Sequence, residues 1–369
     1  MAVSGVAAVA RVPGGPLAIE PIELDALRDD EVLVRIAAVG LCHTDLVFGA
    51  QLGIMRAPAV LGHEGAGVIM AVGAGVTKVE PGDHAVLTFN SCGTCPRCGD
   101  GRPAYCFDFA PMNYSGRRSD GSSPVSIGGE GASADFFGQS SFASHAIAHE
   151  RNVVKIDRDV PLDIMGPLGC GVQTGAGAIV NSLACRKGSS LLIVGAGAVG
   201  LSAVLAAVIR DCATIIVAEP RGERRELAIE LGATHTIDPV GIDLASVVRA
   251  IVPQGVDYAF DTSGLAEVIS AASGALAPRG ILGLVGVAAP HADQLTIPIN
   301  RTVGAGHIIM GIIEGDSQPD KFIPQMIKWY REGRFPFDRL LTRYALTQIN
   351  EAIADQHAGR CVKPLLIPA

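Results

Sequence analysis

Hydrophobic and polar positions in the first part of the chain follow a pattern that is typical of β-strands. In residues 31–40, Val32, Val34 and Ile36 fall on one face of an extended segment, which predicts a strand. Short apolar runs separated by Gly and Pro continue to about residue 90, and the small, polar residues of 115–134 are typical of a loop. The pattern therefore predicts a mainly β region.

The pattern changes after about residue 171, where compact apolar runs alternate with helical stretches. The predicted strands and helices follow each other as strand 191–194, helix 198–210, strand 214–219, helix 222–232, strand 256–261 and strand 281–287. Such alternation implies right-handed crossovers and a parallel, doubly wound sheet, so the fold class is α/β. From about residue 306 mixed elements return, and we expect the chain to rejoin the first domain.

One apolar run, Gly188 to Arg210, has the length of a membrane span, since only its last residue is charged. However, the run contains a glycine-rich turn after a short β-rich segment, and it leads into another strand-like run. We therefore expect a buried strand and helix in this region, and no membrane span.

Composition and charge narrow the class of protein. The 369 residues suggest two or three domains, and 49% apolar with 18% charged residues is typical of a globular chain and excludes disorder. A net charge of −8 argues against nucleic-acid or membrane partners. The N-terminal segment is a poor signal peptide, which predicts a cytoplasmic protein in which the clustered cysteines, four of the nine, bind metal and do not form disulfides.

A dinucleotide-binding fingerprint follows the apolar strand at 191–194. Gly195, Gly197 and Gly200 form a GxGxxG motif, in which the glycines allow a tight turn, close approach of a pyrophosphate and close helix–strand packing. The helix N-terminus offers free N–H groups to the phosphates. Glu219 ends the next strand, where an acid accepts hydrogen bonds from the ribose and repels a 2′-phosphate, so NAD is favoured over NADP.

Two alternatives to this interpretation stay open. Arg221, Arg224 and Arg225 lie close to Glu219 and are compatible with NADP. We include Arg224 among the predicted cofactor-binding residues. The motif is also compatible with a chance glycine-rich turn in an apolar helix.

Four cysteines lie within fifteen residues and predict a structural metal site: Cys92, Cys95, Cys98 and Cys106. Two-residue spacers allow successive sulfurs to point at one ion, and four thiolates complete the tetrahedron that Zn²⁺ prefers without leaving an open position. An iron–sulfur cluster is the main alternative, although the Cys-Pro that usually ends such runs is absent.

Three more residues have the side chains of a metal site with a free position: Cys42, His63 and Cys170. Spacing alone does not join them, because each cysteine is also compatible with a small buried apolar residue and His63 with a core histidine.

The motifs around these residues resemble a known family, the zinc-dependent medium-chain alcohol dehydrogenases. The resemblance runs nearly end to end and is carried by the four-cysteine segment and by GLCHTD (40–45), GHEGAG (62–67), GCGVQTGAGA (169–178) and GAGAVG (195–200). Within the family the chain is most similar to the benzyl/aryl-alcohol branch, which also takes allylic and terpenoid alcohols. The resemblance implies a mainly β, GroES-like catalytic domain with a zinc lobe at 1–171 and 307–369, and a Rossmann domain at 172–306.

The resemblance also implies roles for single residues. The implied ligands of the catalytic zinc are Cys42, His63 and Cys170. Glu64 matches an acid beside the zinc, Asp45 the carboxylate that orients the ligand histidine, and Thr44 the hydroxyl that binds the alcohol. Implied cofactor contacts are His43 and Lys363 near the pyrophosphate and Thr174 near the nicotinamide.

The implied activity is the reversible oxidation of primary aromatic or allylic alcohols to aldehydes with NAD, with one catalytic and one structural zinc ion per chain. Val47 stands where many members have a proton-relaying histidine, which leaves the route of proton release open. An apolar pocket is expected to draw on nearby apolar residues: Phe48, Phe89, Phe109, Met112 and Met310.

Two other functions stay open at this point: a glutathione-dependent formaldehyde dehydrogenase, and a non-catalytic NAD-binding zinc protein. The expected partner is a small alcohol or aldehyde. Family members are usually homodimers or homotetramers, and the apolar stretch 281–310 is a candidate interface.

Overall fold

The computed structural model describes residues 3–52, 55–289 and 292–368, so the ends of the predicted first domain, residues 1–2 and 369, lie outside the described residues. The chain divides into two compact units. The first contains residues up to 171 with 318–327 and 338 onward, and the second contains 172–317 and 328–337. The return to the first unit lies later than the predicted residue 307, because residues 308–311 add a strand to the second unit.

The strands, numbered in chain order, are β1 (Val3–Ala10), β2 (Leu17–Leu24), β3 (Glu31–Gly40), β4 (Ala59–Val60), β5 (Gly65–Val72), β6 (His84–Leu87), β7 (Val125–Ile127), β8 (Glu130–Gly131), β9 (His145–His149), β10 (Val153–Ile156), β11 (Ser190–Val194), β12 (Thr214–Ala218), β13 (His235–Ile237), β14 (Val256–Asp261), β15 (Leu276–Leu284), β16 (Ile308–Gly311), β17 (Leu341–Ala345) and β18 (Lys363–Ile367).

The α-helices are α1 (His43–Gln51), α2 (Pro96–Gly99), α3 (Phe109–Tyr114), α4 (Gly171–Gly177), α5 (Ala198–Ile209), α6 (Gly222–Glu230), α7 (Leu244–Ile251), α8 (Ala266–Gly274), α9 (Ile299–Ala305), α10 (Pro319–Arg331) and α11 (Ile349–Ala358).

The first unit is built on two mainly antiparallel sheets. One has the order β4-β1-β2-β7-β8, and the other has the order β10-β6-β5-β3-β18-β17 with β9 also paired to β3. Strand β3 is largely buried, because it lies between several neighbours and its apolar residues contact the core on both faces. The prediction of a loop over 115–134 was wrong in part, since β7 and β8 pair as a short hairpin within it.

The second unit contains a six-stranded parallel sheet in the order β13-β12-β11-β14-β15-β16. Every residue of β11 is buried, as expected for a central parallel strand that helices cover on both faces. The order reverses between β11 and β14, which is the position where doubly wound sheets bind their ligands. The predicted fold class, a doubly wound α/β domain with a mainly β domain, is confirmed.

The apolar run 188–210 forms strand β11 and helix α5, with the glycine-rich turn between them. Within the described ranges, the structure has no helix that is both long and apolar enough to cross a membrane.

Candidate active site and metal centres

Three segments that are far apart in the sequence bring Cys42, His63 and Cys170 together in the first unit. Cys42 follows β3 and precedes α1, His63 lies just before β5, and Cys170 follows a short 3₁₀ turn at 166–169. One side-chain atom of each, together with a carboxylate oxygen of Glu64, lies within 4.8 Å of the others. The arrangement offers two sulfurs and an imidazole to one ion.

The turn before β5 depends on a glycine. Gly62 has a φ of 90°, a conformation that side-chain-bearing residues rarely adopt. A Cβ atom there would overlap the backbone nitrogen of Phe142. The chain can therefore enter β5 with His63 directed into the site only because residue 62 has no side chain.

Asp45 connects the segments that carry the ligands. Its carboxylate accepts hydrogen bonds from the backbone N–H of Cys42 at 2.9 Å and of Gly62 at 3.0 Å. The same carboxylate lies 2.7 Å from Nδ1 of His63, and both side chains are almost completely buried. Asp45 thus fixes the imidazole with Nδ1 as the donor, which leaves Nε2 as an acceptor for a cation.

The geometry around His63 fits a metal ion. Its Nε2 is buried and has no hydrogen-bond partner among the residues that the structure describes. A buried polar atom without a partner is costly in a folded protein. Two sulfurs lie within 4.8 Å, and imidazole with thiolate is a ligand set that suits Zn²⁺. The fourth donor nearby, the Glu64 carboxylate, is engaged by Lys363 and by the N–H of Gly171, so the two sulfurs and the imidazole match the three protein ligands of a catalytic zinc site with a free position.

Electrostatics in this cluster favour a thiolate at Cys42 and place a negative field around His63 that a cation would offset. A hydrogen bond from Cys170, reinforced by the charge of His63, lowers the pKa of the Cys42 thiol well below its usual range despite burial. Burial would lower the pKa of His63, but the negative charges of Asp45 and Cys42 raise it. A thiolate is the form of cysteine that binds metal.

Glu64 and Lys363 form a buried ion pair beside the ligands. The Lys363 ammonium lies 2.5 Å from Glu64 Oε2, and Glu64 Oε1 also accepts the backbone N–H of Gly171 at 3.0 Å. Burial raises the pKa of Glu64 to about 7, although the Lys363 ammonium opposes that shift. Lys363 is 2% exposed, so its predicted contact with a pyrophosphate stays a prediction, whereas its contact with Glu64 is one that sequence reasoning missed.

Aromatic rings surround the imidazole. Phe137 stacks on His63 with ring centroids 4.3 Å apart, and Phe136 meets it edge-on at 5.4 Å. Phe48 contacts Phe136 at 5.1 Å and Tyr114 at 4.8 Å. Of the residues expected to line a pocket, Phe48, Phe89 and Phe109 belong to this cluster, whereas Tyr114, Phe136 and Phe137 had no sequence signal.

The four cysteines of the lobe converge as well. The Sγ atoms of Cys95 and Cys98 lie 3.6 Å apart, and Cys92–Cys98 and Cys95–Cys106 are both 4.0 Å apart. A tetrahedron with Zn–S bonds of 2.3 Å places its sulfurs about 3.8 Å apart. The spacing therefore fits a single ion better than a cluster, in which different metal atoms bind the thiolates.

Backbone amides also support charged sulfurs in the lobe. The N–H groups of Cys92 and Cys95 donate to the sulfurs of Cys106 and Cys92, at 3.2 and 3.3 Å. Hydrogen bonds from the backbone of Phe107 and Cys98 lower the pKa of Cys95 to about 6, whereas burial raises the pKa of Cys106 to about 12. The thiols do not ionise together unless a cation offsets their mutual repulsion.

The glycine-rich turn of the second unit has the geometry of a phosphate cradle. Gly195 has a φ of 91°, and a Cβ atom on Gly200 would overlap the carbonyl oxygen of Gly195. A Cβ atom on Gly197, at the N-terminus of α5, would meet no atom within 4 Å. Gly195 and Gly200 are therefore required for packing, and Gly197 leaves space beside a helix N-terminus, which fits a pyrophosphate.

Glu219 lies next to this turn, directly after β12. Its carboxylate accepts the N–H groups of Ala196 at 2.8 Å and of Arg221 at 3.0 Å, and it is 5% exposed. Arg225 is engaged with the carbonyl oxygens of Glu219 and Pro220. Glu219 thus brings a negative charge to the glycine turn.

The remaining predicted cofactor residues lie in different places. Arg224 lies half-buried in the first turn of α6, and His43 is exposed at the start of α1. Thr174 is buried on α4, with its hydroxyl 3.4 Å from a carboxylate oxygen of Glu314. The predicted contacts of these residues with a cofactor stay predictions.

Gln139 is another residue of the site without a sequence signal. Its amide Nε2 donates to the carbonyl oxygen of His63 at 3.0 Å, and its Oε1 accepts the N–H of Gly65 at 3.1 Å. The buried amide therefore holds the backbone on both sides of Glu64. It lies 76 residues from His63 in the sequence, so no local motif indicates the contact.

Comparisons with known proteins agree with this architecture. The alcohol dehydrogenase GroES-like domain family matches residues 28–158, and the zinc-binding dehydrogenase family matches residues 198–332. A geraniol dehydrogenase of Castellaniella defragrans is 46% identical over 99% of this chain and 98% of its own length.

Two solved structures extend the likeness to three dimensions. A zinc-binding alcohol dehydrogenase domain protein from Burkholderia ambifaria has a TM-score of 0.97 at 48% identity, covering 100% of this chain and 99% of its own. The benzyl alcohol dehydrogenase of Acinetobacter calcoaceticus has a TM-score of 0.96 at 40% identity, with both chains fully covered.

The chain belongs to the zinc-dependent medium-chain alcohol dehydrogenases. The predicted family is thus confirmed, and with it an alcohol-oxidising enzyme that binds zinc and NAD(P).

Proposed function

We propose that this enzyme oxidises primary alcohols with an aromatic ring or an allylic double bond to aldehydes, with NAD as the hydride acceptor. We also propose two zinc ions per chain. The catalytic ion is bound by Cys42, His63 and Cys170, and the structural ion by the four-cysteine lobe.

The buried, partnerless Nε2 of His63 carries this proposal. This nitrogen lies near two sulfurs, and the rings of Phe136 and Phe137 contact the imidazole. The metal-binding side chains are therefore directly next to apolar side chains. A site with three protein ligands and a free position is suited to exchanging a substrate.

A zinc ion in this position supplies Lewis acidity, which lowers the pKa of a bound hydroxyl. Asp45 holds His63 in the tautomer that can bind the ion. Thr44 lies beside the site, with Oγ1 3.7 Å from the sulfur of Cys42, and it is half-buried. The Thr44 hydroxyl, which can both accept and donate a hydrogen bond, would take up the proton of the alcohol and release its own proton toward water.

The nicotinamide of NAD supplies the hydride acceptor, and the chain's contribution is to hold and orient it. The open position at Gly197 and the N-terminus of α5 support a contact with the pyrophosphate. The Glu219 carboxylate supports NAD over NADP, because a 2′-phosphate would meet a buried negative charge. Thr174 would contact the nicotinamide end of a bound cofactor.

The choice of substrate rests on the aromatic cluster. Phe48 and Tyr114 are half-buried and form a wall with Phe136 and Phe137. Aromatic faces favour planar apolar groups through stacking, and they exclude water from the reacting atoms. The likeness to proteins named geraniol dehydrogenase and benzyl alcohol dehydrogenase points in the same direction.

Initial rates with benzyl, cinnamyl, geranyl and ethyl alcohol, each with NAD and with NADP, test the function. We expect the first three alcohols to be preferred, and formaldehyde with glutathione to be a poor substrate. A preference for the glutathione adduct would support a formaldehyde dehydrogenase instead.

Metal analysis of matched variants tests the site. Cys170→Ala is expected to lose one zinc ion per chain and its turnover. Cys361→Ala, an equally buried cysteine outside both clusters, is expected to keep both. Turnover in Cys170→Ala near that of the unmodified enzyme would exclude the catalytic assignment, and a single ion in the unmodified chain would favour a non-catalytic zinc protein.

Proton release is tested at Val47, which lies on α1 one turn after Thr44. If no side chain relays the proton from this position, Val47→His adds a titratable group to the path. We expect a changed pH profile for alcohol oxidation, and an identical profile would place the path elsewhere.

A further inference from the structure

Three consecutive residues in the second unit adopt the left-handed conformation shortly after β16. The φ angles are 50° for Glu314, 62° for Gly315 and 49° for Asp316. Two of the three carry side chains, for which this conformation costs free energy and persists only where the surroundings enforce it. Residues held in such unfavourable backbone conformations are concentrated at functional sites, so the segment 314–316 is a candidate for a role in the reaction.

The segment 314–316 is packed against helix α4 through a glycine pair. A Cβ atom on Gly315 would lie 2.5 Å from the carbonyl oxygen of Gln173, and one on Gly177 would overlap the carbonyl oxygen of Gly315. Asn181 donates a hydrogen bond to that same oxygen at 3.0 Å. Neither glycine can gain a side chain without separating the segment from the helix, so Glu314 has a fixed position relative to α4.

Glu314 uses that position to bind two side chains of α4. Its Oε2 accepts a hydrogen bond from Nε2 of Gln173 at 3.2 Å and from the hydroxyl of Thr174 at 3.4 Å. All three residues are buried. A hydroxyl has one proton and two lone pairs, and a carboxylate only accepts. With Glu314 ionised, the Thr174 proton is directed at Glu314, and the lone pairs of the hydroxyl are available to a ligand.

We propose that Glu314 is a positioning residue that sets, through Thr174, the relative affinity of the enzyme for oxidised and reduced cofactor. This inference rests on the proposed contact between Thr174 and the nicotinamide. Oxidised nicotinamide is a cation and reduced nicotinamide is neutral. A hydroxyl that presents its lone pairs stabilises the cation more, whereas a freely rotating hydroxyl has no such preference.

The test is to measure the Kd of NAD⁺ and of NADH separately by calorimetry. Thr174→Val removes the hydroxyl and keeps the shape, and Glu314→Ala releases it. In both variants we expect the ratio of the NAD⁺ Kd to the NADH Kd to rise by about fivefold, which is the usual net effect of one hydrogen bond. Glu314→Gln keeps an oxygen acceptor and is expected to restore much of the ratio, and Glu267→Ala, an exposed acid on α8, to leave it unchanged.

A purely structural role for Glu314 would weaken both cofactor forms equally, or lower only the melting temperature, and either result would overturn the inference. An unchanged ratio in Thr174→Val would do so even if Glu314→Ala failed to fold. If the double variant shifts the ratio no further than either single one, the two residues act as a unit, as we expect. Additive shifts would contradict it. Failure of the unmodified enzyme to bind either cofactor would instead contradict the proposed function itself.

Discussion

Asp45→Asn is the most direct test of how the ligand cluster is held in place. The native carboxylate accepts three hydrogen bonds, from the N–H groups of Cys42 and Gly62 and from Nδ1 of His63. Asparagine has one oxygen, which can still serve Gly62 and His63. Its NH₂ group would then face the N–H of Cys42, so one buried amide loses its acceptor at a cost of about 1–3 kcal/mol.

Loss of the charge also weakens His63 as a ligand. Removing the partner of a metal-binding histidine typically lowers metal affinity by about 10- to 100-fold, and we expect a loss in this range for the catalytic ion. The affinity is measured by competition with a chromogenic chelator, with the four-cysteine ion as an internal reference in each variant. Turnover at saturating zinc is expected to fall as well.

Asp83→Asn is the matched control. Asp83 is 3% exposed, accepts the N–H of Glu80 at 3.0 Å and pairs with Lys155 at 2.6 Å, but it belongs to neither metal cluster. We expect the control to lower the free energy of unfolding without changing zinc affinity. If both variants released zinc equally, or if Asp45→Asn retained it fully, the assignment of Asp45 would be wrong.

Three further predictions concern other parts of the molecule. Cys95→Ser is expected to remove one zinc ion and to lower Tm by about 5 °C or more, whereas the control Cys212→Ser is expected to keep both ions. Metal analysis and calorimetry measure these two effects, and full metal content in Cys95→Ser would contradict the prediction. Glu219→Gln is expected to raise the NADP-to-NAD ratio of kcat/KM by about tenfold, since it removes a charge near the 2′ position; an unchanged ratio in steady-state kinetics would reject that role. Burial and the Glu31 carboxylate raise the pKa of Asp135 to about 7. Because the folded state binds this proton more tightly than the unfolded state, the contribution of Asp135 to stability is greatest below the ordinary pKa of Asp and falls as pH rises through about 7. In urea unfolding, Asp135→Asn is therefore expected to gain at least about 1 kcal/mol of unfolding free energy relative to the native chain by pH 8. A difference between the two chains that stays constant across pH would contradict this.

The parallel sheet was predictable because buried central strands appear in the sequence as short, continuous apolar runs. Strands β12 and β14 and helix α5 lie within one residue of their predicted bounds. Strand β15 differs, since it begins at Leu276 and not at Ile281. Pro278, Gly280 and the positive φ of Arg279 interrupt its first half, and this hides the strand from a test of hydrophobic periodicity.

The candidate site was predictable only where its residues lie in local motifs. Cys42 and Asp45 share one motif, and the lobe cysteines share another. The contact between Glu64 and Lys363 spans 299 residues, and that of Gln139 with His63 spans 76. Long-range contacts of this kind depend on sheet order and register, which a single sequence does not encode in any local pattern.

Strand β18 has a consequence for how the molecule is made. It lies between β3 and the edge strand β17, with Leu365 opposite Gly40, although more than three hundred residues separate them. During synthesis on the ribosome, the sheet of the first unit therefore stays incomplete until the second unit has emerged. Over this period β3 has an open edge and the Glu64 carboxylate lacks its Lys363 counter-ion. Emergence of β18 from the exit tunnel then allows the sheet to close and brings the Lys363 ammonium to Glu64, so a nascent chain that still lacks β18 is expected to be a target for chaperones and proteases.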